Sequence, residues 1–397
     1  MAGTPSSISG ARATHNILAA RRVVDMAPKI ILLEDDRKSL MTFAGALGTR
    51  DVSNPNFHWL TDEILPKSGT FGAGAASTVT TGFNMSGTSA NVYLQVDDVV
   101  KVPSTGDVFL VTVVSGMGDV DLTHIYDSSA SIANGSQWVR IGNSRQENST
   151  LRDSSDALLA LSTKEVSAAN YTQTFRTALG LSRREDKSNL YGGKDRAYQR
   201  MKALLQHCEE INNAFWHGVS ASDASGRTHT QGLLEYIPSG NEEAITTLTE
   251  AEFEDFVRRV TRYGNTKKRV LFCSRFVGQL ISGWARDNQR IAVPGGKTKY
   301  GVQVVEYQAG SGATIDIVTD HALEGIPSAT STSGWDGYAV LVDPENVKKA
   351  VFGGDDAKLQ IGLQMPDQDG LVDAYLSDVG IQSGHGSHHG TITGVTG

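Results

Sequence analysis

The chain has 397 residues, 42 of them glycine, and sets 36 basic against 44 acidic side chains for a formal charge of −8. That length points to about two or three folding units. The acidic balance excludes a protein that grips nucleic acid over a broad face, because phosphate contacts need a basic excess. The longest basic run is Lys267-Lys268-Arg269. No apolar run reaches the ~18 residues of a membrane helix, and Met1–Ala13 lacks the apolar core of a signal peptide. With Cys208 and Cys273 as its two cysteines, the chain carries no disulfide framework. Both sit among apolar neighbours, so they are predicted to be buried thiols.

Residues 1–35 show little amphipathic period beyond Ile17–Val24 and are predicted to be an arm that orders only against a neighbour. Leu40, Phe43, Ala44 and Leu47 share one face of a short helix over Glu34–Leu47. Asn56–Glu63 is aromatic and alternating, a strand stopped by Pro66. From 68 to 145 the composition turns to Gly, Ser, Thr and Val. Turn signals recur there at Ser104-Thr105-Gly106-Asp107, Ser115-Gly116 and Asn134-Gly135. Strands at Val99–Val102, Val108–Val114 and Ser136–Ile141 make a small inserted β-barrel or sandwich. Gln146–Ser162 reads as a polar link, and Tyr171–Leu181 as a strand.

The strongest element is a helix over Lys194–His217. Ala197, Met201, Leu204, Leu205, Cys208, Ile211 and Phe215 step by three and four into one apolar stripe, and Arg196 and Arg200 fall on the polar remainder. A second helix opens at Thr249 with a Thr249/Glu252 capping box and a Leu248/Phe253 staple, and Gly264 is its expected stop. Arg269–Cys273 is a buried strand. Ser274 caps a third helix bearing Phe276, Val277, Leu280, Ile281 and Trp284. Strands follow at Val302–Tyr307, Ala313–Thr319 and Tyr338–Val342, then a turn at Asp343–Asn346. This order is α+β rather than doubly wound. From Ser383 the Gly-, Ser- and His-rich end reads as a flexible tail.

Chemical signatures are sparse. Pro294-Gly295-Gly296-Lys297-Thr298 resembles the end of a phosphate loop, but Ile291 stands where the upstream glycine is needed. There is no Gly-x-Ser-x-Gly, His-Glu-x-x-His or Cys-x-x-Cys. His385, His388 and His389 have a spacing that can converge on a metal ion, without a neighbouring carboxylate to orient them. Asp35-Asp36 and Asp355-Asp356 read as solvated loops or helix starts. Asp62-Glu63 is expected to pair structurally with Arg176 across adjacent strands. No residue is assigned a catalytic, cofactor-binding or metal-binding role.

Six segments in order carry a resemblance: Asn54–Pro66, Asn170–Arg176, Glu210–Gly218, Thr230–Ile237, Tyr300–Val304 and Asp316–Val318. The series is similar to the major head proteins of tailed double-stranded DNA bacteriophages of the SU10-like family, which adopt the HK97 capsid fold. The resemblance covers roughly residues 30–381 and implies a shell subunit, not an enzyme. Residues 1–35 would be the N-terminal arm. Residues 36–67 would start the peripheral domain and one side of an extended loop, and 146–190 its return side, with 68–145 as the β-rich insertion. Residues 191–244 would hold the spine helix in the peripheral domain, 245–345 the axial domain, 346–381 the peripheral return and 382–397 the tail.

The partner implied is the chain itself, in pentamers and hexamers of a virion shell made in the host bacterial cytoplasm. Scaffold, portal and decoration proteins are further expected partners. The shell would enclose double-stranded DNA without sequence-specific binding, and no membrane is involved. Without a leading coiled coil, the scaffold is predicted to be a separate protein or none. The insertion is expected to face outward or to strengthen contacts between capsomers. The competing readings are an encapsulin-like compartment shell, a secreted β-rich adhesive protein and an unrecognised hydrolase.

Overall fold

The computed structural model describes Leu40 and residues 48–64, 67–71, 79–84, 94–115, 119–126, 135–147, 163–188, 195–264, 268–288, 306–324 and 335–396. The expected arm over 1–35, all of the Glu34–Leu47 helix but Leu40, most of the polar link and the Pro294–Thr298 loop lie outside them. Two compact units divide the chain, one of residues 60–168 and one of residues 1–59 and 169–397.

Strands β1 (Thr49–Val52) and β2 (Asn56–Thr61) come first. In β2, Phe57 and Trp59 are buried between exposed Asn56, His58 and Leu60, the two-residue period of a half-buried strand. The 60–168 unit then builds one antiparallel sheet from β3 (Ser68–Thr70), β4 (Val79–Asn84), β5 (Asp98–Lys101), β6 (Val108–Ser115), β7 (Asp119–Tyr126) and β8 (Gln137–Asn143), in the order β3-β8-β5-β6-β7-β4. Val100, Phe109, Val111, Leu122 and Trp138 form its core with Phe71 and Leu94. A Cβ on Gly69 would stand 2.6 Å from the Trp138 ring, so the close approach of the β3 backbone requires glycine. Strand β7 was not expected, although Val120 and Leu122 alternate with polar residues along it. The compact unit also extends beyond the predicted 68–145 at both ends.

Strand β9 (Val166–Tyr171) pairs with β2 as a two-stranded ribbon, and β10 (Gln173–Ser182) pairs with a different sheet. Arg176 is registered with Leu376 there. The expected alignment of Asp62-Glu63 with Arg176 is therefore corrected: the two segments are not on adjacent strands.

The second unit continues through α1 (Arg183–Lys187), α2 (Asp195–His217), β11 (Ala221–Ser222), β12 (Thr228–His229) and α3 (Leu233–Tyr236). Then come β13 (Glu242–Ala244), α4 (Glu250–Val260), β14 (Lys268–Cys273), α5 (Arg275–Asn288), β15 (Glu306–Gln308) and β16 (Thr314–Thr319). Strands β17 (Ala339–Val342), β18 (Val347–Phe352), β19 (Lys358–Ile361), β20 (Gly370–Ser383) and β21 (Gly390–Thr393) complete it. Two sheets result. One runs β1-β18-β20-β10, with β19 also on β20; the other runs β13-β21-β17-β14-β16-β15.

Strand β14 is buried along Arg269–Cys273, as an apolar run covered on both faces should be. On one face lie Phe253, Phe256, Val257 and Val260 of α4 and Val277 and Ile281 of α5. Helix α4 carries the expected capping box, and Leu248 and Phe253 are both buried. It ends at Val260, ahead of Gly264 (φ +100°). On the other face Val270, Phe272, Val340 and Val342 share a core with Phe175, Val351, Val379 and Ile381 of the first sheet and Ile211, Phe215 and Trp216 of α2. Each such side chain contributes roughly 1.5–3 kcal/mol of burial, so this shared core joins the two sheets.

The chain end is not a flexible tail. Strand β21 runs parallel to β13 and antiparallel to β17 inside the second sheet, and Ile392 and Val395 are fully buried. A Gly-, Ser- and His-rich composition does not preclude burial when long-range partners satisfy the backbone.

Candidate functional site

Helix α2 is the element around which the other features are arranged. Its C-terminal half follows the predicted stripe, with Cys208, Ile211 and Phe215 buried. Its N-terminal half does not. Met201 is 48% exposed, and the face turned inward carries Arg196, Arg200, Ala203 and His207 instead. The reason lies on β20. Asp373 is fully buried. It accepts from Arg196 Nε and Nη2 at 3.1 and 2.9 Å, from Arg200 Nη2 at 2.7 Å and from the Gly362 N–H at 3.2 Å. Burial by itself would raise this carboxyl's pKa, but the hydrogen bonds from Arg200 and Arg196 outweigh it and hold it below the ordinary range. Two turns on from Arg200, His207 bridges Thr177 Oγ1 of β10 (2.9 Å) and Ser377 Oγ of β20 (2.7 Å). Burial lowers its pKa, against the pull of Asp356.

The other end of α2 is held by the second sheet. Buried Asp320, just past β16, accepts the Trp216 indole N–H at 2.8 Å and the Asn212 amide at 3.2 Å. Helix α2 thus acts as a strut tied at one end to each sheet.

The candidate histidines are used inside the fold. His389 is fully buried; its Nδ1 accepts the Asp343 N–H at 3.1 Å and its Nε2 meets Ser383 Oγ at 3.0 Å. His388 Nδ1 accepts from the Asn346 amide at 2.7 Å, and His385 Nδ1 accepts the Ser387 N–H at 3.3 Å. The Nδ1 atoms of all three thus serve hydrogen bonds within the fold. Among the described residues no group of three or more His, Cys, Asp or Glu is placed to hold a metal ion. Asp355-Asp356 is not simply solvated either, because Asp356 accepts from nearly buried Lys349 Nζ at 2.6 Å and Asp355 from Lys358 at 3.2 Å. Neither cysteine is in a disulfide and both are buried, and burial pushes the Cys273 thiol up to about 12.

Two open clefts flank the end of α2. One, of about 440 Å³, is lined by Gln173, Asn213, His217 and His229; the other, of about 410 Å³, by Glu209, Asn212, His217, His321 and Glu324. Among the described residues neither is lined by Ser, Thr or Cys, so none of these sets such a nucleophile against a base.

Exposed apolar side chains mark the remaining surface. Leu60 and Ile64, at and just beyond the end of β2, are 72% and 89% exposed, and Val166 at the start of β9 is 65% exposed. In the 60–168 unit, Val139, Lys101, Val108 and Tyr126 form one cross-strand row by register, with Tyr126 70% exposed. Ile361 and Met365, at and after the end of β19, are also exposed. Such patches belong to proteins that bury them against partners.

A strut tied to two sheets and separate apolar projections describe a building block. A family model, SU10 major capsid protein, matches residues 7–396. The chain belongs to the SU10 major capsid protein family. Among solved structures, the capsid asymmetric unit of cyanophage A-1(L) is similar at 11% identity and a TM-score of 0.52, covering 97% of this chain and 99% of that one. The capsid of an empty GTA particle is similar at 9% identity and a TM-score of 0.51, covering 97% and 98%. A holo-SrpI encapsulin complex from Synechococcus elongatus PCC 7942 matches at 8% identity over 59% of this chain and 78% of that one, with a TM-score of 0.41. No curated protein sequence matches. The fold is HK97-like and α+β, as expected from the sequence, and the chain is a shell-forming capsid protein. The sequence missed the inward use of Arg196 and Arg200; their i, i+4 spacing was a weak signal, and Asp373 lies 177 and 173 positions away.

Proposed function

We propose that this capsid subunit assembles, through many repeated contacts in pentamers and hexamers, into the icosahedral head that encloses a phage double-stranded DNA genome. The observation that carries this reading is the β2–β9 ribbon with Leu60, Ile64 and Val166 exposed near its open end. A two-stranded ribbon is marginal by itself, and its apolar side chains gain stability when a neighbour covers them. The ribbon would be the stem of the extended loop, with the β-rich unit as the insertion it carries. The sheet containing β14, with α4 and α5, would be the axial domain, and the sheet containing β20, with α2, the peripheral domain. Residues 390–393 belong with the axial sheet, since β21 pairs with β13 and β17.

Repeated head-to-tail contacts close into rings, and rings joined at several axes close a shell. The charge of −8 suits a container that holds DNA without gripping it. Scaffold, portal and decoration proteins are the further partners this role implies, and the host bacterial cytoplasm is the place of synthesis. Membership of a structural capsid family supports a subunit with no enzymatic activity. The test is expression of the full chain followed by size analysis and negative-stain microscopy. Shells, tubes or capsomers are expected; monodisperse monomers at high concentration would overturn the proposal. Co-purified nucleic acid, rather than a cargo enzyme, separates a phage head from a protein compartment.

A further inference from the structure

Among the described residues, two short crossings run directly between the sheets: 343–346 from β17 to β18, and 384–389 from β20 to β21. They are bonded to each other. The Gly384 N–H donates to the Asn346 carbonyl at 2.7 Å, the Asn346 amide to His388 Nδ1 at 2.7 Å, and the Asp343 N–H to His389 Nδ1 at 3.1 Å. The Asn346 amide also donates to Asp343 Oδ2 at 2.8 Å, and the buried Arg269 guanidinium pairs with the same carboxylate.

We propose that these paired crossings are a proton-sensitive latch between the two sheets, closed while His388 and His389 are neutral and released when they take up protons. The direction follows from hydrogen-bond chemistry. Both Nδ1 atoms face N–H donors, so a proton on either replaces an attraction with two donors pointed at each other. His389 has no exposed surface through which water could rescue the charge. The charged and titratable groups facing the pair are Asp343 at the end of β17, Arg269 of β14, and His385, whose ring stacks on His388 at 5.5 Å. Asp343, with its carboxylate 3.8 Å from His388 Nδ1, favours protonation; Arg269 and His385 oppose it. Desolvation wins at both sites, lowering His388 and taking His389 to about 3.

The sign for stability is fixed by this shift. A native imidazole that binds fewer protons than the opened one contributes fully above the ordinary value of about 6.5, and the contribution is lost as pH falls towards the native value. At pH 5, His389 alone should shift the closed-to-open ratio by about 30-fold relative to pH 7.5.

The test is backbone hydrogen exchange by mass spectrometry on the full chain, corrected for intrinsic rates, over 338–350 and 381–395. Protection of the wild type should drop by about 30-fold or more between pH 7.5 and 5. In His388→Asn/His389→Asn, where amide oxygens replace the Nδ1 acceptors and cannot titrate, protection should stay level. Equal pH dependence in both proteins, or none in the wild type, would overturn the latch. Because the double variant could fail to fold, deuterium exchange at the imidazole C2 carbon is read on the wild type as well. A His389 that titrates near the ordinary imidazole value would overturn the proposal; one that stays neutral through pH 5 supports it.

Discussion

Trp216 ends the apolar face of α2 by donating its indole N–H to the buried Asp320 carboxylate at 2.8 Å. Asn212 and the Ala322 N–H donate to the same group. Asp320→Ala removes the acceptor of a buried indole N–H and of the Asn212 amide. The expected loss is about 3 kcal/mol, read as a lower midpoint in urea unfolding with an unchanged slope. A loss under about 0.5 kcal/mol would mean that water replaces the carboxylate and the strut is not held there.

At the opposite end, Asp373→Asn removes the charge shared by Arg196 and Arg200. Breaking a buried pair on one side costs about 3–5 kcal/mol, here at the lower end because both arginines keep about a quarter of their surface in water. The carboxyl is held below its unfolded value. Its contribution is therefore complete above the ordinary carboxylate pKa of about 3.9 and is lost as pH falls through the native one. Thermal melts from pH 6 down to pH 2 should show the wild type and Asp373→Asn converging at the acid end.

These two ties also show what could be read from the sequence. The limits of α2, the Thr249/Glu252 capping box and the strand ending at Cys273 are local signals, set by residues within one or two turns, and all were legible. The inward face of α2 before Ala203 was not. Arginines at i and i+4 look solvated until a carboxylate far along the chain is brought beneath them. Buried His389 was hidden the same way: glycine and serine neighbours suggest solvent, whereas its partners Asp343 and Ser383 become visible only once β17, β20 and β21 are in register. The exposed Leu60 stood in a recognised strand segment, but its outward direction depends on the β2–β9 pairing.

Gly390→Ala tests the placement of the chain end directly. A Cβ there would lie 2.4 Å from Val260 Cγ2 and 3.0 Å from the Phe256 ring. Overpacking of that kind costs about 1–3 kcal/mol, measurable by denaturant titration. Removal of residues 384–397 should be far worse, giving insoluble chain, because β13 is cut off from its sheet and β17 loses one of its two neighbours. A soluble truncated protein with native circular dichroism would refute the assignment of β21 to the sheet.

Excising the β-rich unit needs boundaries set by pairing rather than by composition. Strand β3 is registered with β8 over Ser68–Thr70 and Gln137–Val139, so a cut at 72–143 would strand β3. Replacing residues 67–147 with a short glycine linker should leave a soluble subunit whose α2-centred core melts within a few degrees of the parent. Assembled heads of this variant are expected to dissociate at lower temperature; equal head stability would show that the unit adds nothing to the shell.

Strand β21 lies between β13 and β17, yet it is translated after every other strand of that sheet. A nascent chain halted before Gly390 therefore holds β13 cut off from β17 and the rest of that sheet, and cannot yet present a finished surface. Contacts that need the finished sheet surface must therefore wait until β21 has been made and has docked, which delays association relative to synthesis of the earlier strands.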